Sequence, residues 1–412
     1  MILKHDLIKN VAALSVLQGV SYLLPLITLP YLTRTLGVEE WGRVTFVQLI
    51  IGYFCLVTNW GFPWSSARKV AIARNSNAHL SEIFAVTWTA QWFIAIISVF
   101  VLLLLVAVVP FFQKDRVLYI YGVGLVISGV MFPSWFLAGL ERMQVMASIQ
   151  IFARIVSVPL VFVFIHDKDD SPMIIAIGAI TSLISGLWMM LWIKFKLEIF
   201  LVIPTPIKVW REIRESSVIF LSTIWISAYT TLIPTVLGIV AGHEAVGFYN
   251  LADRIRNVGQ GFIGPVSQAL FPRMNYLFAN DSLNAKRLLL RSGLIISSIS
   301  GLVSLSLWVA AEPIVVMLGG RDFLPASNVL RWLAPLPFVI GISSIASLQI
   351  LIPMHRERNF HFVVFIGAMV SLLTLHLLVL DKGAVGAGQA MLIVESIVCV
   401  GMWINARNAL MK

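Results

Sequence analysis

The stretch Gly37-Val38-Glu39-Glu40-Trp41-Gly42 recurs 205 residues later as Gly242-His243-Glu244-Ala245-Val246-Gly247, and at the same offset Arg68 falls on Arg273. The offset is close to half of the 412-residue chain. Each copy is a short polar connector between two apolar runs, so the repeated unit is a pair of helices with the turn that joins them. Two separate connectors agreeing at one offset point to a head-to-tail duplication. With six helices per half, both halves insert in the same direction and are related by an axis along the membrane normal.

The apolar runs around these connectors set the solvent. The chain is 59% hydrophobic and only 12% charged, whereas soluble domains run at about half apolar and a quarter charged. Its mean hydropathy is +0.91. A helix needs about 20 largely apolar residues to cross the hydrocarbon core, and charged clusters separate runs of that length throughout. The pattern predicts helices near 10–33, 44–62, 83–109, 117–139, 143–165 and 172–193, then near 216–240, 246–270, 288–311, 326–353, 361–380 and 384–405. The longest polar interruption, 194–215, carries Lys194, Lys196, Lys208, Arg211 and Arg214 at the midpoint. The expected fold is therefore an all-α polytopic membrane protein of about twelve transmembrane helices in two six-helix lobes, 1–196 and 216–412, joined by a cytoplasmic linker, 197–215.

The net charge of +10 follows from topology. With the N-terminus inside, 19 of the 30 basic residues lie on the inner side, as retention of Lys and Arg in cytoplasmic loops requires. Both termini are then cytoplasmic, and no nucleic-acid partner is called for. Cys55 and Cys399 sit alone in apolar runs, which suggests neither a disulfide nor a metal cluster. The apolar stretch 11–32 is longer than a signal-peptide core of about 7–15 residues and reads as an uncleaved first helix. Trp41, Trp60, Trp64, Trp210 and Trp308 fall near helix ends, where interfacial anchoring accounts for them. The run His166-Asp167-Lys168-Asp169-Asp170 reads as solvated loop charge rather than a metal site.

Ionisable residues inside apolar helices are the functional pointers, because each costs about 2.5–3.5 kcal/mol at helix centre on insertion scales. Arg154 lies mid-helix. In the eighth helix, Asn250, Asp253, Asn257 and Gln260 recur at three- and four-residue steps beside Arg254 and Arg256, making one polar face. The repeat equivalents of Asn250 and Asp253 are Thr45 and Gln48, a milder version of the same face. Arg331 and Glu395 lie in the tenth and twelfth helices. Four cations against two acids suit an anionic ligand, and the planar fork of arginine matches phosphate oxygens. Asp253 and Glu395 are also candidates for ion coupling. The alternatives are structural: Arg154 and Arg331 locking helices together, Asp253 with Arg256 as an internal ion pair at i,i+3, Glu395 as a structural hydrogen bond. No metalloprotease histidine pair, phosphate-binding glycine loop or elbow serine is present, and no cofactor is implied.

The segment Pro30-Tyr31-Leu32-Thr33-Arg34-Thr35-Leu36-Gly37-Val38-Glu39-Glu40-Trp41-Gly42, with Arg68 after the second helix, resembles the opening of the O-antigen flippases called Wzx. These belong to the multidrug/oligosaccharidyl-lipid/polysaccharide (MOP) exporter superfamily. The similarity continues through Phe136-Leu137-Ala138-Gly139-Leu140-Glu141-Arg142, Gly247-Phe248-Tyr249-Asn250-Leu251-Ala252 and residues 326–337. The resemblance implies a MATE-like fold of two lobes in a V, lined by helices one, two, seven and eight, in the bacterial inner membrane. It implies a cargo of undecaprenyl-diphosphate-linked oligosaccharide, moved from the cytoplasmic to the periplasmic leaflet in company with other polysaccharide-assembly membrane proteins. It also makes Arg34, Arg331 and the eighth-helix charges substrate contacts, and Arg68 with Arg273 structural residues of the inner connectors. Two rivals stand beside it: a drug or cation antiporter on the same fold, and a membrane-embedded polysaccharide-assembly enzyme.

Overall fold

Apolar side chains dominate the chain, so in lipid every backbone group must be satisfied within a helix. Helices are what the structure shows. The computed structural model describes residues 2–199, 202–261, 270, 274, 276–278, 280–354 and 356–411. Among these there is no strand. In order, the elements are α1 (Ile2–Asn59), α2 (Phe62–Ala73), α3 (Asn77–Val108), α4 (Pro110–Gln113), α5 (Arg116–Met131), α6 (Ser134–Gly139), α7 (Met143–Phe164) and α8 (Ser171–Leu197). They continue with α9 (Pro206–Gly261), α10 (Ser282–Val309), α11 (Ala311–Gly319), α12 (Ala326–Leu333), α13 (Leu336–Ala346), α14 (Glu357–Thr374) and α15 (Leu380–Leu410). Wider π-type turns, Ser347–Leu351 and Leu375–Val379, follow α13 and α14.

Nine stretches of the described residues are long and apolar enough to cross a membrane. Three of the helices behind them are broken at a glycine: α1 at Gly37, α9 at Gly242 and α15 at Gly383. The protein is a multi-pass, all-α membrane protein. Gly37 (φ 74°, ψ −179°) and Gly242 (φ 82°, ψ 179°), the repeat equivalents, share one backbone conformation. That region of φ/ψ space is essentially closed to residues with a Cβ. The duplication read from the sequence thus recurs in the dihedral angles.

The chain divides into two units: Met1–Thr28 with Val44–Thr223, and Leu29–Arg43 with Ile224–Lys412. In the first unit, Phe62, Phe84, Trp135, Phe136 and Met189 form a fully buried core between α2, α3, α6 and α8. On α3, Phe93, Ile96, Phe100 and Leu104 are exposed on the opposite side, the lipid-facing arrangement of a spanning helix. The second unit packs Ile350, Leu351, Val363, Val398 and Met402 into its own core.

The expected linker is partly helical, since α9 starts at Pro206, ten residues before the seventh helix read from the sequence. Proline at this first position costs no hydrogen bond. The beginning of α9 is tied to the first unit by side chains. Lys69 Nζ reaches Glu212 and Glu215 at 2.6 and 2.7 Å, and Ser66 Oγ donates to Glu212 at 2.9 Å. Trp60 Nε1 donates to the Ile213 carbonyl at 2.9 Å, and Lys208 pairs with Glu82 at 2.5 Å. Glu212 is buried, so these donors are what make its charge tolerable there.

In the loop between α7 and α8, the Asp170 carboxylate accepts the backbone N–H groups of His166 and Asp167. The His166 bond first, then that of Asp167, holds it below the usual carboxylate range. Among the described residues no group of three His, Cys, Asp or Glu side chains is placed to hold a metal ion.

Candidate functional site: one polar cavity in each unit

In the first unit, α5, α7 and α8 carry small polar residues at helical spacing: Ser128 on α5, Gln150 and Ser157 on α7, Gly178, Thr181, Ser182 and Ser185 on α8. They line a cavity of about 550 Å³ together with Arg154 and Gln48. The Thr181 and Ser185 hydroxyls spend their protons on carbonyls of their own helix, those of Ile177 and Ser182 at 2.8 and 2.7 Å. Arg154 is exposed to the cavity. Among the described residues its guanidinium has no hydrogen-bond or ion-pair partner. Arginine keeps its charge in proteins, so five N–H donors with a full positive charge face this space.

The second unit holds a cavity of about 470 Å³ with the opposite character. Here α9 supplies Asp253, Arg256, Asn257 and Gln260, α15 supplies Glu395, and α13 with its π-type extension supplies Ser343, Ser344 and Ser347. Arg256, 6% exposed, is fully engaged. Its Nε and Nη2 donate to Asp253 Oδ1 at 3.1 and 2.5 Å, and its Nη1 donates to Gln260 Oε1. Asn257 Nδ2 donates to the other Asp253 oxygen at 2.9 Å. With Asp253 neutralised by Arg256, Glu395 is the remaining formal charge on the wall.

Gln48 and Asp253, 205 residues apart, each line the cavity of their own unit. The equivalence read from the repeat therefore marks corresponding positions on the two walls, one neutral and one charged.

The remaining candidates separate. Asp253, Arg256, Asn257, Gln260 and Glu395 come together, and Arg154 stands in the other cavity. Asn250 and Arg254 face elsewhere: Arg254 Nε donates to Asn250 Oδ1 at 3.0 Å, and its guanidinium lies 4.7 Å from the Trp41 ring centre. The polar face of the eighth helix is thus two faces, because positions 250 and 254 form their own i,i+4 pair. Arg34 is exposed and donates to the Met317 carbonyl at 2.9 Å. Arg331 lines neither cavity. The tenth helix stops at Leu333 before Pro335 and resumes at Leu336, which leaves Arg331 exposed beside Asn328 (3.3 Å) and Glu312 (3.9 Å). Arg68 is exposed on α2, and Arg273 lies outside the described residues. Trp64, Trp210 and Trp308 are exposed as anchors should be, but Trp41 is 1% exposed and belongs to the interior of its unit.

Sequence reasoning missed most of the wall of the first cavity. The signal was there in the steps of three and four from Gly178 to Ser185, read as apolar helix because isolated serines scarcely lower hydropathy.

The family described as "Polysaccharide biosynthesis protein" matches residues 7–278. The chain belongs to that family. A relative in Escherichia coli (strain K12), named "Putative O-antigen transporter", is 29% identical over 405 residues, 98% of each chain. This family member also shares its fold with solved transporters. An inward-facing multidrug-resistance MATE transporter of the MOP superfamily superposes with a TM-score of 0.69 at 13% identity, covering 96% of this chain and 98% of that one. The lipid II flippase MurJ, in an inward closed conformation, gives 0.68 at 14% identity, covering 97% and 87%. The resemblance read from residues 30–42 and the later motifs is borne out by this family and this fold.

Proposed function

We propose that this protein is a flippase for undecaprenyl-diphosphate-linked oligosaccharide, moving it from the cytoplasmic to the periplasmic leaflet of the bacterial inner membrane by alternating access. The observation that carries the reading is the guanidinium of Arg154, without a partner among the described residues, in a cavity walled by hydroxyl and amide groups. A cation facing a polar space inside a membrane span asks for an anion, and serine, threonine and glutamine side chains are the partners sugar hydroxyls require. At about 550 Å³ the cavity is in the range of small-ligand sites, sized for a diphosphate with its first sugar. The prenyl chain then stays in lipid. The family, the name of the curated relative and the fold shared with a lipid II flippase support the same reading.

The working lobes in this reading are 1–196 and 216–412, with both termini cytoplasmic and other polysaccharide-assembly membrane proteins as neighbours. The cavity of the second unit supplies the coupling. Its two carboxylates against one arginine favour a monovalent cation or proton, with Glu395 as the exchanging group and Asp253 held by Arg256. That acidic balance also favours a second reading, a cation-coupled drug antiporter. Expression in a flippase-null strain separates them. Restored surface O-antigen, with loss of the lipid-linked intermediate that accumulates in the null strain, is expected. Unrestored O-antigen with gained drug resistance overturns the flippase.

A further inference from the structure

The hydroxyls around Arg154 have a direction. A serine or threonine hydroxyl holds one proton and two lone pairs, and inside a helix the carbonyl three or four residues back competes for that proton. Four hydroxyls on the wall of the first cavity have given theirs away. Ser128 Oγ donates to the Leu125 carbonyl at 2.7 Å and Ser157 Oγ to that of Arg154 at 2.7 Å. Thr181 Oγ1 donates to the Ile177 carbonyl at 2.8 Å and Ser185 Oγ to that of Ser182 at 2.7 Å. A carbonyl oxygen cannot donate, so chemistry alone fixes the direction of each bond. What these four oxygens keep for the cavity is lone pairs.

The four come from three helices, and α8 packs against both α5 and α7. Thr181 and Ser185 stand one turn apart on one side of α8, and Ser157 follows Arg154 by three residues on α7. All of them line the same space. Arg154 is their opposite, since a guanidinium only donates. The cavity therefore pairs a cationic donor with an acceptor wall. The Gln48 and Gln150 amides and the Ser182 hydroxyl can present either end.

A complementary ligand carries an anion for Arg154 and, beside it, groups that donate hydrogen bonds. Sugar hydroxyls and amide N–H groups do so. A carboxylate in that place only accepts. To be satisfied it would have to pull the wall hydroxyls off their carbonyls, and otherwise it lies unpaired against their lone pairs, so either outcome weakens binding.

We propose that Ser128, Ser157, Thr181 and Ser185 determine specificity by accepting hydrogen bonds from the sugar next to the diphosphate. They admit an uncharged sugar with free hydroxyl or amide N–H groups and turn away one that bears a carboxylate there. The assignment rests on the cargo reading above and adds to it a selection of the first sugar by charge and hydrogen-bond direction. None of the four holds the anion, so removing them should leave the grip on the diphosphate intact.

The test measures the affinity of the purified full-length protein for undecaprenyl diphosphate, for the same lipid carrying glucose, and for the same lipid carrying glucuronate. The wild type should bind the glucose lipid about tenfold or more tighter than the glucuronate lipid, the scale on which a hydrogen-bonding site rejects a mismatched analogue. Thr181→Val with Ser185→Ala should lose most of that ratio by weakening the glucose lipid, while affinity for bare undecaprenyl diphosphate stays within about twofold. A merely structural role would move all three affinities together. Thr181→Ser, which keeps the acceptor, should keep the ratio, and Ser157→Ala should lower it should the double variant fail to fold. Equal binding of the two glycolipids by the wild type, or a ratio untouched by the hydroxyl deletions, overturns the acceptor wall. Undecaprenyl glucoside and undecaprenol, which carry no phosphate, separate this from the cargo reading. Should the diphosphate give no advantage over undecaprenol, the cargo reading fails. A preference for the glucoside that the double variant loses would then still uphold the acceptor wall, and no preference would overturn it.

Discussion

The two cavities occupy corresponding places in duplicated halves and differ in how their arginines are satisfied. Arg154 in the first unit faces hydroxyls and amides and has no partner among the described residues. Arg256 in the second has its donors taken by Asp253 and Gln260, with Glu395 across the same space. At the one position matched through the repeat, the first unit carries Gln48 where the second carries Asp253. The first cavity thus has a cation and no carboxylate on its wall, the second a cation with two carboxylates. The lesson is that an intramembrane arginine is informative only together with its partner. Arg256 is structure first, and Arg154 is available chemistry.

Four experiments press on that contrast. The largest effect is expected for Arg154→Glu, which reverses the sign of the free charge. O-antigen display should fall about a hundredfold or more, while stability changes by less than about 0.5 kcal/mol because no packed pair is broken. Breaking Arg256→Ala should do the reverse. Stripping one partner from a buried, hydrogen-bonded ion pair costs about 3 kcal/mol, so the thermal midpoint and membrane yield should drop before transport per folded molecule does. An equal loss from both substitutions in both readouts would erase the distinction between the cavities. Glu395→Gln keeps size and hydrogen bonding, so the fold should hold. Transport should fall about tenfold and lose its dependence on the driving ion gradient, checked by collapsing that gradient with an ionophore. The smallest effect belongs to Asp170→Asn. The carboxyl of Asp170 is held low by backbone N–H donors, so its contribution is present above its unfolded pKa and lost as pH falls through the folded one. Between pH 7 and pH 3 the wild-type Tm should drop slightly more than that of the variant.

Much of this was legible in the sequence. The connector repeat anticipated the shared glycine conformation at 37 and 242, and its offset matched Gln48 to Asp253. The faces of α9 were only half legible. Steps of three and four correctly grouped Asp253, Asn257 and Gln260, but the same arithmetic admits Asn250 with Arg254, and nothing local says that Trp41 lies over the second pair. The span expected at 326–353 pauses between Leu333 and Leu336, and Arg331 stands exposed, outside both cavities. The serines of α8 were invisible to hydropathy and become a wall only when α5 and α7 are set beside them. Periodicity reports which face a residue is on. What stands opposite that face is tertiary information.

In the proposed cycle Arg154 meets the charged head of the cargo. Its most direct test is the affinity of the purified protein for undecaprenyl diphosphate, compared with uncharged undecaprenol, in wild type and in Arg154→Gln. The wild type should prefer the diphosphate by at least tenfold, and Arg154→Gln should lose most of that preference while Arg254→Gln keeps it. An undiminished preference in Arg154→Gln would contradict the account.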